Sequence, residues 1–262
     1  MILAVDVGNS NTTVGLFNGT GELLFRALLE TSRSKTRDQC AIELLGVFQL
    51  YGADACTVDG AILSSVVPPL TTIFTDAIAR LTGIPPMVVG PGIRTGLNIK
   101  AEIHNQLGSD IVASSVAAIA KYPSPIVMVD MGTATSLSLI VGSVSEGCII
   151  MPGLALALDA LSERAAALPP ISIETASPVG LMGHTTEEAM RSGVLYGHAS
   201  MVDGMLERIE ESIGQSVTTV ATGGNAPRIL RYCKRPIQYD ADLIMTGLYL
   251  LYQKNAKKYR KA

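Results

Sequence analysis

VDVGNSNTTVGLF, over Val5–Phe17, is answered by VDMGTATSLSLIV over Val129–Val141. At an offset of 124 residues Val, Asp and Gly coincide, and a turn rich in Thr or Ser follows in both stretches. Each begins as an apolar, branched run ending on an acid, Asp6 or Asp130. Such a run reads as a buried strand that carries one carboxylate to its end. The offset is close to half of the 262 residues, so the chain reads as an internal duplication. Two halves of like topology, 1–118 and 119–262, are expected to face each other across a cleft.

The flanking sequence supports a repeated α/β plan. Around the first stretch, Met1–Asp6, TTVGLFN and Glu22–Leu28 read as a meander of three strands. Apolar residues at Cys40, Leu44, Val47, Phe48 and Tyr51 have helical spacing over Thr36–Tyr51. Gly60–Val67 is a buried strand stopped by Pro68-Pro69, a helix runs to about Leu81, MVVG is a short strand, and Asp110–Lys121 is helical. Around the second stretch, three strands end near Met151 and an Ala/Leu-rich helix covers Leu154–Leu168. A long helix over Thr186–Ile213, a strand at Val217–Ala221, a TGGN turn and an apolar helix over Asp240–Tyr252 complete the chain.

Composition narrows the function classes. With 48% hydrophobic and 16% charged residues the chain can build a packed core. A net charge of −3 gives no basic excess for a nucleic-acid partner, and an aromatic content of 5% without Trp argues against stacking platforms. Cys40, Cys56, Cys148 and Cys233 form no CxxC pair, so neither a disulfide framework nor a zinc site is expected. The apolar N-terminus breaks at Asp6 without a basic flank, and no run reaches the roughly 20 apolar residues of a membrane span. A cytoplasmic protein without membrane contact is expected.

The turns suggest phosphate chemistry. Gly, Asn and Ser tolerate left-handed backbone and leave N–H groups unshielded, which makes a nest for phosphate oxygens. Thr12 and Thr13 add hydroxyls. Asp6 and a phosphate are both anions, so the physical use of Asp6 is to hold hydrated Mg²⁺ against the phosphates. A plain hairpin with a capping Asp is the competing reading. In the second half Asp130 and Gly132–Thr135 repeat the pattern, and Gly223 and Gly224 of ATGGNA allow close approach to a flat ligand. Neither GxxxxGK[ST] nor GxGxxG occurs.

The ordered set Asp6–Asn11, Ser64–Pro68, Pro91–Leu97, Gly108–Asp110, Asp130–Thr135, Pro152–Leu154, Thr186 with Gly193, and Thr222–Ala226 resembles the type III pantothenate kinases. The resemblance spans nearly the whole chain. It implies a duplicated actin-like (ribonuclease H-like) α/β fold, with two mixed-sheet halves around a nucleotide cleft. It also implies ATP-dependent phosphorylation of pantothenate, the first committed step towards coenzyme A, by a homodimer using Mg²⁺ and a monovalent cation, K⁺ or NH₄⁺. By the same resemblance Asp6, Val7, Gly8, Asn9, Ser10, Asn11, Thr12 and Thr13 hold the triphosphate and its metal, with Thr133, Gly223 and Gly224 also on the nucleotide. Asp130 is a monovalent-cation ligand and Asp110 is the general base. Gly108, Ser109, Ile111 and Thr186 join Asp110 on the pantothenate side. A helix N-cap is the competing reading of Asp110 in SDIVAS.

The sequence departs from the family on the acceptor side. Ile111 stands where Arg usually follows GxD, Ala101 replaces a Tyr, Ile103-His104 replaces Asn-Pro, and Glu146-Gly147 replaces paired Gly. Losing a bidentate Arg beside an anion costs on the order of 2–4 kcal/mol. Two readings follow: a kinase whose acceptor pocket uses other groups such as Lys100 or His104, or a nucleotide-binding paralogue with weak or different acceptor activity. A third, regulatory reading rests on the tail KNAKKYRKA, with Lys254, Lys257, Lys258, Arg260 and Lys261. Basic residues can contact phosphate backbones, and they also complement a helix C-terminus.

Overall fold

The computed structural model describes residues 1–99, 107–173 and 180–259. They form two compact units, one of 1–121 with 242–262 and one of 122–241.

In the first unit the strands are β1 (Ile2–Val7), β2 (Asn11–Phe17), β3 (Leu23–Glu30), β4 (Gly60–Ser65), β5 (Met87–Val88) and the two-residue β6 (Asn98–Ile99). The helices are α1 (Arg37–Leu50), α2 (Pro68–Thr82) and α3 (Ser109–Lys121). The main sheet has the order β3-β2-β1-β4-β5, antiparallel from β1 through β3 and parallel from β1 through β5. All six β1 residues are buried because helices cover both faces. Leu3, Val5 and Val7 pack with Leu44 and Phe48 of α1 and Leu70 of α2. Ile2 and Ala4 face the other way, packing with Ala113 of α3 and with Met245 and Leu248. Strand alternation puts Asp6 on this second face.

The second unit contains β7 (Ile126–Met131), β8 (Ala134–Val141), β9 (Val144–Pro152), β10 (Thr218–Thr222) and β11 (Gln238–Tyr239), with α4 (Leu154–Arg164), α5 (Thr186–Ile213) and α6 (Ala226–Leu230). Its strands run β11-β10-β7-β8-β9, with β7 antiparallel to β8 and parallel to β10. Both units therefore repeat one plan: a central strand with Asp as its last residue but one, a hairpin on one side and parallel strands on the other.

The ends of the helices follow their cap chemistry. Thr36 and Gln39 form a capping box at the start of α1, and Thr185 and Glu188 form another at the start of α5. Gly83 and Gly214, both left-handed, close α2 and α5. Two expected spans differ. The helix from Leu154 ends at Arg164, because Ala165 is extended and a turn from Ala165 to Leu168 precedes Pro169.

The final helix, α7 (Leu243–Tyr259), runs beyond Tyr252. It also belongs to the first unit, where the expected halves 1–118 and 119–262 placed it in the second. The reason is packing: a Cβ on Gly247 would collide with the Ala113 carbonyl, so the glycine lets α7 lie directly on α3. Among the described residues no helix is long and apolar enough to cross a membrane.

Candidate active site

Asp6 is buried at the end of β1, in register with Thr13 on β2 and Ser64 on β4. Beyond it, Asn9, Ser10 and Asn11 are exposed, and the Gly8 N–H donates to the Asn11 carbonyl at 3.0 Å. No non-glycine residue among those described has a positive φ, and Gly8 has none either. Glycine is needed there for closeness: a Cβ would lie 3.0 Å from the Asn11 oxygen. Val7 and Thr12, expected to face the triphosphate, are fully buried. The Thr12 hydroxyl lies 2.8 Å from that of Thr31, and the Thr31 N–H donates to the Ser10 carbonyl at 2.9 Å. These two residues thus form the back of the turn, and Thr31 is a partner that no sequence motif marked.

Asp110 lies in the first turn of α3, half-buried. The Gly108 carbonyl already accepts from the Val112 N–H, so Asp110 stands inside the helix and not at its cap. Its Oδ1 accepts from the Ile111 N–H at 2.8 Å, and a Cβ on Gly108 would collide with that oxygen. The Gly-x-Asp spacing therefore makes room for the carboxylate. Burial pushes the Asp110 carboxyl above its ordinary value, against the lowering effect of the Ile111 and Asp110 N–H groups.

Ser109 turns towards β4. Its hydroxyl lies 2.9 Å from that of Ser64, accepts from the Ser65 N–H at 3.2 Å and can donate to the Ser65 carbonyl at 3.2 Å. These bonds anchor α3 to β4. Through Ser109, Asp110 is tied to Ser64, the register neighbour of Asp6.

The second hairpin repeats the first with one residue fewer. The Gly132 N–H donates to the Ala134 carbonyl at 3.0 Å, as Gly8 does to Asn11. Asp130 pairs with Ser136 as Asp6 pairs with Thr13. The constant offset of 124 therefore holds only up to the turn, and afterwards Thr12 matches Thr135, not Ser136. Both threonines are buried.

Every carbonyl from Met131 to Ala134 is tied within this unit. The Met131 oxygen accepts from the Asn225 N–H at 3.0 Å, the Gly132 oxygen from Asn225 Nδ2 at 3.2 Å, and the Thr133 oxygen from the Gly153 N–H at 3.1 Å. In a planar trans peptide C=O and N–H point oppositely. Tying the Gly132 and Thr133 carbonyls therefore fixes the tilt of the two peptides that carry the Thr133 and Ala134 N–H groups, and both residues are exposed.

The two glycines of TGGN divide their work. Gly223, with φ +91°, backs onto Asp130: a Cβ would lie 2.6 Å from its Oδ1 and 2.6 Å from the Met131 carbonyl carbon. Gly224 has open space where a Cβ would project. Asn225, to which the sequence assigns no role, clamps the Asp130 turn. His198 of α5 was also missed, since a lone His carries no spacing signal. It is buried, with Nε2 2.7 Å from the Thr135 hydroxyl.

Thr186 opens α5, exposed, beside Leu168 and Pro169 across an open cleft. Residues 91–97 are held by α7: Asn255 accepts from the Arg94 N–H at 2.9 Å and donates to the Arg94 carbonyl at 2.9 Å, and Lys254 donates to the Thr95 carbonyl at 2.8 Å. Lys254 is thus a clasp inside the fold. Lys100, Ala101, Ile103 and His104 lie outside the described residues, as do Arg260 and Lys261.

A family model described as type III pantothenate kinase matches residues 2–208. A type III pantothenate kinase of Exiguobacterium sp. is 38% identical over 258 residues, covering 98% of this chain and 100% of that protein. One of Geobacillus thermodenitrificans is 39% identical over 259 residues, covering 98% and 99%. Among solved structures, component A of (R)-2-hydroxyglutaryl-CoA dehydratase from Acidaminococcus fermentans superposes with TM-score 0.58 at 13% identity, covering 98% of each chain. ROK hexokinase from Thermus thermophilus superposes with TM-score 0.52 at 14% identity, covering 98% and 99%. These structures share the expected actin-like sugar-kinase fold.

Proposed function

The chain belongs to the type III pantothenate kinase family, and from that premise we propose how its residues divide the work. It phosphorylates pantothenate with ATP, a reaction of coenzyme A biosynthesis, and is a kinase of an alcohol acceptor. Asp110 is the general base. It orients the primary hydroxyl of pantothenate and takes its proton as the hydroxyl oxygen bonds to the γ-phosphorus. The bond from that phosphorus to the β,γ-bridging oxygen breaks, and ADP leaves with the electron pair. The raised carboxyl of Asp110 supports this role, since a base must hold the proton it takes.

Exposed Asn9, Ser10 and Asn11, with Gly8 and Thr13, take the triphosphate. Asp6 holds Mg²⁺ through water, and its buried carboxylate beside Ser64 and Thr13 suits an ion that takes one or two carboxylates and keeps several waters. When bound, the ion neutralises phosphate charge. Thr133, exposed in the second turn, contacts ATP, Gly224 leaves room for the flat part of the nucleotide, and Asp130 takes the monovalent cation, K⁺ or NH₄⁺.

Gly108 and Thr186 lie on the pantothenate side. Ile111 serves it through its N–H on Asp110, and Lys100 or His104 meets the acceptor's negative charge in place of the family's Arg. The protein works as a cytoplasmic homodimer.

The observation that carries this reading is the path Asp6–Ser64–Ser109–Asp110, which ties the proposed metal carboxylate and the proposed base to one end of one sheet. The test is ADP release measured with and without pantothenate, in potassium and in sodium. Pantothenate-dependent release, faster in potassium, is expected. ATP binding without acceptor-dependent release would overturn the assignment.

A further inference from the structure

The two hairpins solve one physical problem in two ways. After each turn the chain enters its strand through a buried threonine whose hydroxyl must find a partner. In the first hairpin the Thr12 hydroxyl meets Thr31 at the end of β3, 2.8 Å away. In the second the Thr135 hydroxyl meets His198 Nε2, 2.7 Å away, from the middle of the 28-residue helix α5. His198 is 5% exposed and Thr135 is 1% exposed, so neither can exchange this bond for water.

Around them Val129, Met131, Leu137, Val194, Leu195 and Val202 form an apolar core. Burial there holds the imidazole below its ordinary value, which favours the neutral ring. A neutral ring has one donor and one acceptor nitrogen, so Nε2 and the hydroxyl can form a single well-matched bond.

We infer that His198 is a positioning residue for phosphoryl transfer, holding the Gly132–Ala134 turn in place through the Thr135 hydroxyl. The turn is otherwise fastened through its carbonyls by Asn225 and Gly153. Those bonds set the tilt of the peptides. The Thr135–His198 bond fixes where the turn joins β8, and so the position of Thr133 and Ala134 along that strand. A shift there of a fraction of an ångström would move both residues together. The inference rests on the reading of this turn as an ATP contact.

The experiment measures steady-state kinetics and thermal unfolding of His198→Ala, His198→Gln, Thr135→Val and Thr133→Ala in the full chain. Loss of the tether is expected to raise the KM for Mg·ATP about 5- to 20-fold in His198→Ala and Thr135→Val, with the KM for pantothenate unchanged. The double variant is expected to be no worse than the worse single one, because both remove the same bond. His198→Gln keeps a polar nitrogen at similar reach and is expected to recover most of the ATP KM.

If Thr133→Ala raises the ATP KM while the folded His198 and Thr135 variants leave it unchanged, the inference fails and the reading of the turn stands. A rise in both KM values in proportion to lost stability, without recovery in His198→Gln, also overturns it, leaving His198 as core packing. If Thr133→Ala leaves the ATP KM unchanged as well, and ATP shifts neither the Thr133 nor the Ala134 amide resonance, the assignment of the turn to ATP fails and takes the inference with it.

Discussion

The hydroxyls of Ser64 and Ser109 lie 2.9 Å apart and join the end of β4 to the start of α3. Ser64 is fully buried and sits beside Asp6 in the parallel register, while Ser109 precedes Asp110 in the chain. Two acidic groups with different proposed tasks are thus referenced to one hydrogen bond. Either could otherwise move with its own element.

Removing that bond should loosen the base more than the nucleotide turn. Ser109→Ala deletes the partner of Ser64 and of the Ser65 backbone. A cost of about 1–3 kcal/mol in denaturant unfolding is expected, as for a buried polar group left unmatched. kcat is expected to fall more than the KM for Mg·ATP rises. Equal loss in both would argue that Ser109 only stabilises the fold.

The burial of Asp110 carries a sign that can be tested in two ways. Its carboxyl lies above the ordinary 3.8, so the folded protein binds this proton more tightly than the unfolded chain. The corresponding stability is fully present below 3.8 and is lost as pH rises through the folded value. At neutral pH the ionised carboxylate is therefore a burden on the fold. Asp110→Asn, which keeps an oxygen for the Ile111 N–H, is expected to raise Tm at pH 7 and to cut kcat about 10²- to 10⁴-fold. In the unsubstituted protein, kcat/KM should fall with acid at a higher pH than an ordinary aspartate would give.

Glycines behind the second turn should be intolerant of a methyl group. A Cβ at position 153 would strike the carbonyls of Gly132 and Thr133, which belong to backbone and cannot swing aside. Gly153→Ala is expected to cost about 1–3 kcal/mol and to raise the ATP KM, since the turn must move to admit it. Gly224→Ala has open space around the new methyl and should fold with unchanged Tm. Any effect there would be on nucleotide binding, read by titration with ATP.

The clasp of α7 on residues 91–97 predicts an effect far from the proposed base. Asn255 is 2% exposed and pairs with both polar groups of Arg94 and with the Leu251 carbonyl. Asn255→Leu leaves the Arg94 backbone unmatched and is expected to cost about 2–4 kcal/mol. Lys254→Met, which removes a single exposed bond to Thr95, should cost less than about 1 kcal/mol. Urea unfolding of the two variants checks the order.

Much of the plan could be read from neighbouring residues. Branched apolar runs marked β1 and β7, and apolar spacing marked α1. The repeat of Asp-x-Gly gave the duplication, and strand order bears it out. The repeat misaligned its own second half, because letters cannot show that one turn is a residue shorter. Only the matching bonds from Gly8 to Asn11 and from Gly132 to Ala134 reveal the deletion.

What sequence alone determined is the family of motifs, the strand–turn–strand units and the residue types at their tips, because periodicity, turn chemistry and caps depend on residues within a few positions of one another. Tertiary structure decided which of those residues face outward and which are fastened behind. It buried Val7 and Thr12 behind the first turn and bonded Ser109 to β4. It supplied Thr31, Asn225 and His198 as their fastenings, and it returned α7 to the first unit. Partners such as Thr135 and His198, 63 residues apart, meet only when the core closes. Burial then obliges each polar group to find a match that its local sequence does not name.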